Sequence, residues 1–161
     1  MGGIILTSPG YLELLRSNKT FARLWGSNMI LYIGDWFTVL AMFLLAGDAT
    51  DNSPLAIAGV LAVRSFTFAP LEPITGMLAD RYPRKYLMII ANLFSFVILI
   101  SFILTGILDN LFSVYALTIL LVVGRAIYDP AGTAYLPTIC NEEELLTANA
   151  LISGGDRKSV V

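Results

Sequence analysis

The 161-residue sequence contains no histidine and a single cysteine, Cys140. Without a second thiol or an imidazole, neither an internal disulfide nor a Cys/His zinc centre can be assembled, and Cys140 reads as a packing residue. Charge is scarce too: Asp, Glu, Lys and Arg make up 14% of the chain, against about 25% in a soluble domain. The 10 basic and 12 acidic residues give a formal net charge of -2, without the basic excess that grips phosphates, so no nucleic-acid partner is expected. There is no phosphate-binding glycine loop, no nucleophile with its base and no metal-ligand cluster. Neither an enzyme nor a cofactor is expected on that pattern. The first ten residues lack the basic start and long apolar core of a cleavable signal, and Leu6 stands where a myristoylation motif carries Ser or Thr.

What the chain does have is apolar length. Hydrophobic residues make up 57% of it, and a mean hydropathy of +0.76 arises from runs that recur along nearly the whole sequence. Leu24–Ala46 holds 23 residues with one charge, Asp35, and at 1.5 Å per residue reaches roughly 34 Å, enough to cross a hydrocarbon core. Leu55–Leu78 is a second run, interrupted by Arg64, Pro70, Glu72 and Pro73, which kink a membrane helix without forbidding it. Tyr86–Leu108 carries no charge at all, and Leu111–Tyr135 starts with fourteen uncharged residues before Arg125, Asp129, Pro130 and Gly132. The pattern predicts an all-α membrane protein with about four transmembrane helices, at 24–46, 55–78, 86–108 and 111–135, and the lipid bilayer as its first partner.

Lys and Arg set the orientation, because cytoplasmic loops retain positive charge. Arg16, Lys19 and Arg23 precede the first span, and Arg81, Arg84 and Lys85 lie between the second and third. The intervening loops on the other side carry only Asp48, Asp51 and Asp109. Residues 1–23 are therefore read as a cytoplasmic N-terminal segment of a multi-pass protein of the cell inner (plasma) membrane. Beyond the fourth span, Asn141 and Glu144 have capping-box spacing and predict a short cytoplasmic helix within 136–153. Trp25, Tyr11, Tyr82 and Tyr86 read as interfacial anchors.

The loop after the second span runs Gly76-Met-Leu-Ala-Asp80-Arg81-Tyr-Pro-Arg84-Lys85. Gly76 permits close helix approach, Asp80 offers an acceptor to a helix end or a basic side chain, and the three basic residues can make ion pairs that break again. This stretch resembles motif A of the major facilitator superfamily, in the place that family has it, with Pro83 where a glycine is usual. Asn18-Lys-Thr-Phe-Ala-Arg-Leu-Trp-Gly-Ser, Ile33-Gly-Asp-Trp, Gly124-Arg-Ala-Ile-Tyr-Asp-Pro-Ala and Glu143-Glu-Leu-Leu-Thr-Ala-Asn-Ala-Leu are similar to one branch, the drug and siderophore exporters of the enterobactin- and macrolide-efflux type.

The resemblance covers roughly residues 17–153. It implies part of the N-terminal six-helix half of a twelve-span transporter, with a small-molecule solute as partner and the C-terminal helices of the same transporter as the missing wall. It also implies that Gly76, Asp80, Arg81, Arg84 and Lys85 act as a conformational latch. Residues 136–153 would then include the start of a truncated fifth span. Asp156-Arg-Lys-Ser-Val-Val resembles a reading frame of a common short-read sequencing adapter, so the tail 154–161 is expected to be non-native.

Asp35, Arg64, Glu72, Arg125 and Asp129 fall within or at the edge of the spans, where an unpaired charge costs about 2.5–3.5 kcal/mol. They are expected to face inward. Arg125 and Asp129 are four apart, and Arg64 and Glu72 eight apart, so each pair shares a helix face and can neutralise itself in part. Asp35 or Glu72 is a candidate for titration in a proton-coupled cycle, with an arginine tuning it; a static ion-pair network is the structural alternative. Asn28, Tyr32 and Asp35 follow helical spacing and form a candidate cavity lining. Two further readings stay open: a complete four-helix multidrug transporter acting as a dimer, and a membrane interaction protein that carries no solute.

Overall fold

A computed structural model describes residues 9–153, so the expected foreign tail lies outside the described residues. Among the described residues all the regular structure is helical. A short helix α1 (Tyr11–Ser17) ends at Asn18, and α2 (Lys19–Asp48) starts immediately after it. Then come α3 (Pro54–Arg81), α4 (Arg84–Thr105), a single 3-10 turn at Ile107–Asp109, α5 (Leu111–Ile139) and α6 (Glu142–Ser153).

The ends follow from local chemistry. The Asn18 Oδ1 accepts the Phe21 amide at 3.0 Å and caps α2, which therefore begins before the apolar run does. Pro54 opens α3 at a position whose amide needs no partner. Gly106, at φ 63°, terminates α4 in the left-handed conformation that glycine adopts without strain. Asn110 caps α5 through the Ser113 amide at 2.9 Å. The Glu144 carboxylate reaches back to the Asn141 amide at 3.0 Å, the reach-back half of a capping box at the start of α6.

Helices α2, α3, α4 and α5 are each long and apolar enough to cross a membrane. The most apolar stretch of α5 is 44% buried, against 17%, 11% and 17% for the other three, which makes α5 the enclosed helix and leaves the rest with broad apolar faces outward. Phe37, Leu44, Phe66, Leu93, Phe96 and Leu104 are all exposed on those faces. In water such a surface would be a liability; against acyl chains it is the expected solvent contact.

The described residues form two compact units. One gathers the residues up to Gly34 with those from Tyr135 onward, and the other runs from Asp35 to Ala134. The second is packed around Met42, Ala46, Val60, Val114 and Leu117. Close helix approach sets its geometry. The Tyr115 hydroxyl donates to the Ala56 carbonyl at 2.9 Å, and a Cβ placed on Gly59 would lie 2.2 Å from that hydroxyl oxygen. A Cβ on Gly124 would lie 2.1 Å from the Ser95 Oγ and 3.3 Å from the Ala91 carbonyl, so α4 and α5 meet at the glycine itself.

The first unit is packed around Leu14, Phe21, Leu136, Cys140 and Ala148. Trp25 leans on this cluster with its Nε1 buried and without a hydrogen-bond partner among the described residues. Tyr11, Tyr82 and Tyr86 are exposed.

Candidate functional site: charges within the spans

All five intramembrane charges lie in the unit from Asp35 to Ala134, and four of them form ion pairs. Asp35 comes from α2, Arg64 from α3, and Arg125 and Asp129 from α5. The Arg64 Nη2 lies 2.5 Å from the Asp35 Oδ2, with the two side chains 29% and 24% exposed. The Arg125 Nε sits 3.0 Å from Asp129 Oδ1 and 3.1 Å from Oδ2, a straddled carboxylate one helical turn away. The same guanidinium lies 5.8 Å from the Tyr128 ring centroid, within cation–π range. Asp129 also lies within electrostatic range of Asp35 and Arg64, which groups the two pairs as one charged quartet.

This arrangement corrects one expectation. Arg64 takes its carboxylate from another helix, Asp35, rather than from Glu72 two turns along its own. The reason is distance: eight residues span about 12 Å of helix rise, beyond the reach of two side chains, whereas α2 brings Asp35 alongside. Glu72 itself is exposed on α3, next to Pro70 and Pro73.

Asp35 and Arg64 line a pocket with Thr38, Met42, Thr118 and Leu121. The Thr118 hydroxyl donates to the Val114 carbonyl at 2.9 Å, which leaves it free to act as an acceptor. Thr38 and Thr118 carry no charge and no motif, and only the tertiary packing of α2 on α5 marks them out. Asn28 and Tyr32 lie on α2 in the other unit, and both are half-buried and hydrogen-bonding or in electrostatic contact.

Of the motif-like loop, Arg84 is the residue with a defined partner. It is half-buried and its Nη1 donates to the Ala134 carbonyl in the last turns of α5 at 2.5 Å, a cation placed where the helix dipole is negative. Asp80, Arg81 and Lys85 are exposed. Among the described residues a Cβ on Gly76 would meet nothing within 4 Å, and close helix approaches are made at Gly59 and Gly124. Among the described residues no group of three or more carboxylates or thiols is placed to hold a metal ion.

Apolar helices of this length, carrying paired charges between them, define a multi-pass membrane protein. The model of the Major Facilitator Superfamily matches residues 24–157, and the chain belongs to that superfamily, whose members are transporters. It is similar to an uncharacterized MFS-type transporter, YfiS, of Bacillus subtilis (strain 168), at 26% identity over 148 residues. That alignment covers 92% of this chain and 35% of the relative, so the chain spans about a third of the length of the curated relative it matches. No solved structure matches.

Proposed function

We propose that the chain supplies the first part of a secondary active exporter that moves a small drug-like or siderophore-like solute, driven by an ion gradient. The reading rests on the Asp35–Arg64 pair, which brings an acid and a base from two spans to a pocket that also holds two threonine hydroxyls. A carboxylate held there by a breakable charge partner has the chemistry of a site whose protonation alters helix packing. Asp129, itself paired with Arg125, sits within electrostatic reach of Asp35 and Arg64 and biases that pair. The sequence likeness to exporters at Ile33-Gly-Asp-Trp and Gly124-Arg-Ala-Ile-Tyr-Asp-Pro-Ala supports the direction of transport.

In the same reading the loop from Gly76 to Lys85 is a latch. Arg84 on the end of α5 is its fastened half, and Asp80, Arg81 and Lys85 are the exposed groups that engage the rest of the transporter. The four spans form part of a six-helix half, with the N-terminus and the Tyr82–Pro83 turn in the cytoplasm and the protein in the cell inner membrane. Asn28 and Tyr32 of α2 are candidate cavity-lining residues in this reading.

The test is export by a protein that carries this chain together with its remaining spans, energised by a proton gradient in inverted vesicles. Asp35→Asn is expected to abolish gradient-driven uptake of a fluorescent solute while leaving passive exchange in place. Undiminished driven uptake by this variant would remove Asp35 from the coupling.

A further inference from the structure

The unit formed by the chain's two ends holds a junction that the transport reading does not use. Asn18 stands between α1 and α2, and every polar position of its carboxamide is engaged. The Oδ1 accepts the Phe21 amide at 3.0 Å, while the Nδ2 donates to the Ile139 carbonyl at 2.7 Å and to the Glu144 Oε2 at 3.2 Å. Those partners are the first turn of α2, the last carbonyl-bearing turn of α5 and the first turn of α6. The same Glu144 oxygen accepts the Asn141 amide at 3.0 Å, so one carboxylate oxygen serves both as cap of α6 and as anchor for Asn18.

A second fastener lies further along: the Thr147 hydroxyl, in a side chain 6% exposed, donates to the Pro9 carbonyl at 2.9 Å. Between the two lie Leu14, Phe21, Leu136 and Ala148, all 1% exposed or less, and Cys140 at 7%. These bonds join residues 121 to 138 positions apart in the chain, so they fix tertiary structure and not a local turn.

The residue type is diagnostic. Serine, threonine, aspartate and asparagine all cap a helix through a side-chain oxygen, and capping alone selects none of them. Only asparagine among them adds two amide hydrogens, and here both are spent on groups of other helices.

We propose that Asn18 is the fastening residue of a clasp that makes α1, the start of α2, the end of α5 and α6 one moving body, with Cys140 sealed inside it. The clasp holds whatever solute the spans carry, because none of its groups belongs to the charged quartet. Its mechanical consequence is that the end of α5 cannot shift relative to the start of α2 without parting the Asn18 amide from the Ile139 carbonyl and the Glu144 carboxylate.

Cys140 is the native reporter, being the chain's one thiol. The experiment alkylates it with a maleimide in membranes containing the full chain. Asn18→Asp keeps the acceptor that caps α2 but removes both donors and sets a second carboxylate against Glu144. It is expected to raise the alkylation rate about tenfold, the effect of losing hydrogen bonds to a charged partner on local opening. Glu144→Gln in the Asn18→Asp background places an amide donor opposite the new carboxylate, reverses the bridge, and is expected to return the rate to within about threefold of wild type. A wild-type rate in Asn18→Asp overturns the clasp. So does a raised rate that Glu144→Gln fails to lower, since general loosening would ignore which side carries the donor.

Discussion

Separating Asp35 from Arg64 gives the sharpest energetic test of the charged quartet. Opposite charges about 4 Å apart attract by about 4 kcal/mol at an effective dielectric of about 20. The two side chains retain 24% and 29% exposure, and screening through that opening leaves about 2 kcal/mol as the coupling between them. Removing one partner costs more than this, because the survivor is stranded among apolar helices; Asp35→Asn or Arg64→Gln alone is expected to destabilise by about 2–3 kcal/mol. The double variant strands nothing and is expected to lose about 2 kcal/mol less than the two singles added together. Reversible unfolding in micelles of graded SDS content, followed by tryptophan fluorescence, measures all four proteins. Additivity within about 0.5 kcal/mol would refute the pairing as an energetic unit, whatever the geometry.

At the α3 to α5 approach, Gly59→Ala places a methyl 2.2 Å from the Tyr115 hydroxyl and is expected to cost about 1–3 kcal/mol in the same assay, with Tyr115→Phe recovering part of the loss. Arg84→Gln shortens the reach to the Ala134 carbonyl and is expected to destabilise by about 1 kcal/mol, read as an earlier SDS midpoint. Cys140 titrates above the ordinary thiol range, first because burial penalises the thiolate and then because Glu144 repels it. The folded chain is therefore expected to alkylate more slowly than the SDS-unfolded chain at any pH near 8, with its rate rising at a higher pH. For stability the sign runs the same way: below the ordinary thiol pKa both states hold the proton and nothing changes. Above it the unfolded state deprotonates first, so stability falls as pH climbs toward the folded value.

The helices were legible because length and composition suffice for them. Tyr86–Leu108 has no charge to interrupt it, and α4 runs from Arg84 to Thr105 across that stretch. The Arg125–Asp129 pair was legible for a similar reason, since an i, i+4 spacing on one helix sets the contact before any tertiary packing. The partner of Arg64 was not: Asp35 is 29 residues away and on another helix, and periodicity is blind to that distance. Gly59 and Tyr115 escaped notice because a glycine in an apolar run signals a close approach only once the opposing helix is known. Asn18 stood out only as the first residue of a family-like stretch, and its two donors find Ile139 and Glu144 more than 120 positions later. Helix ends also depart from the apolar runs, as α2 begins at Lys19 because the Asn18 cap extends it.

Everything proposed for the charged quartet and the loop near Arg84 requires α2, α3, α4 and α5 to cross a bilayer in alternating directions. Single cysteines introduced at Asp51 and at Tyr82, in a Cys140→Ser background, place one thiol in each of two successive connections. In oriented vesicles an impermeant maleimide is expected to label the Tyr82 position from the cytoplasmic side alone and the Asp51 position from the opposite side alone. Labelling of both from the same side would contradict the spanning arrangement and everything built on it.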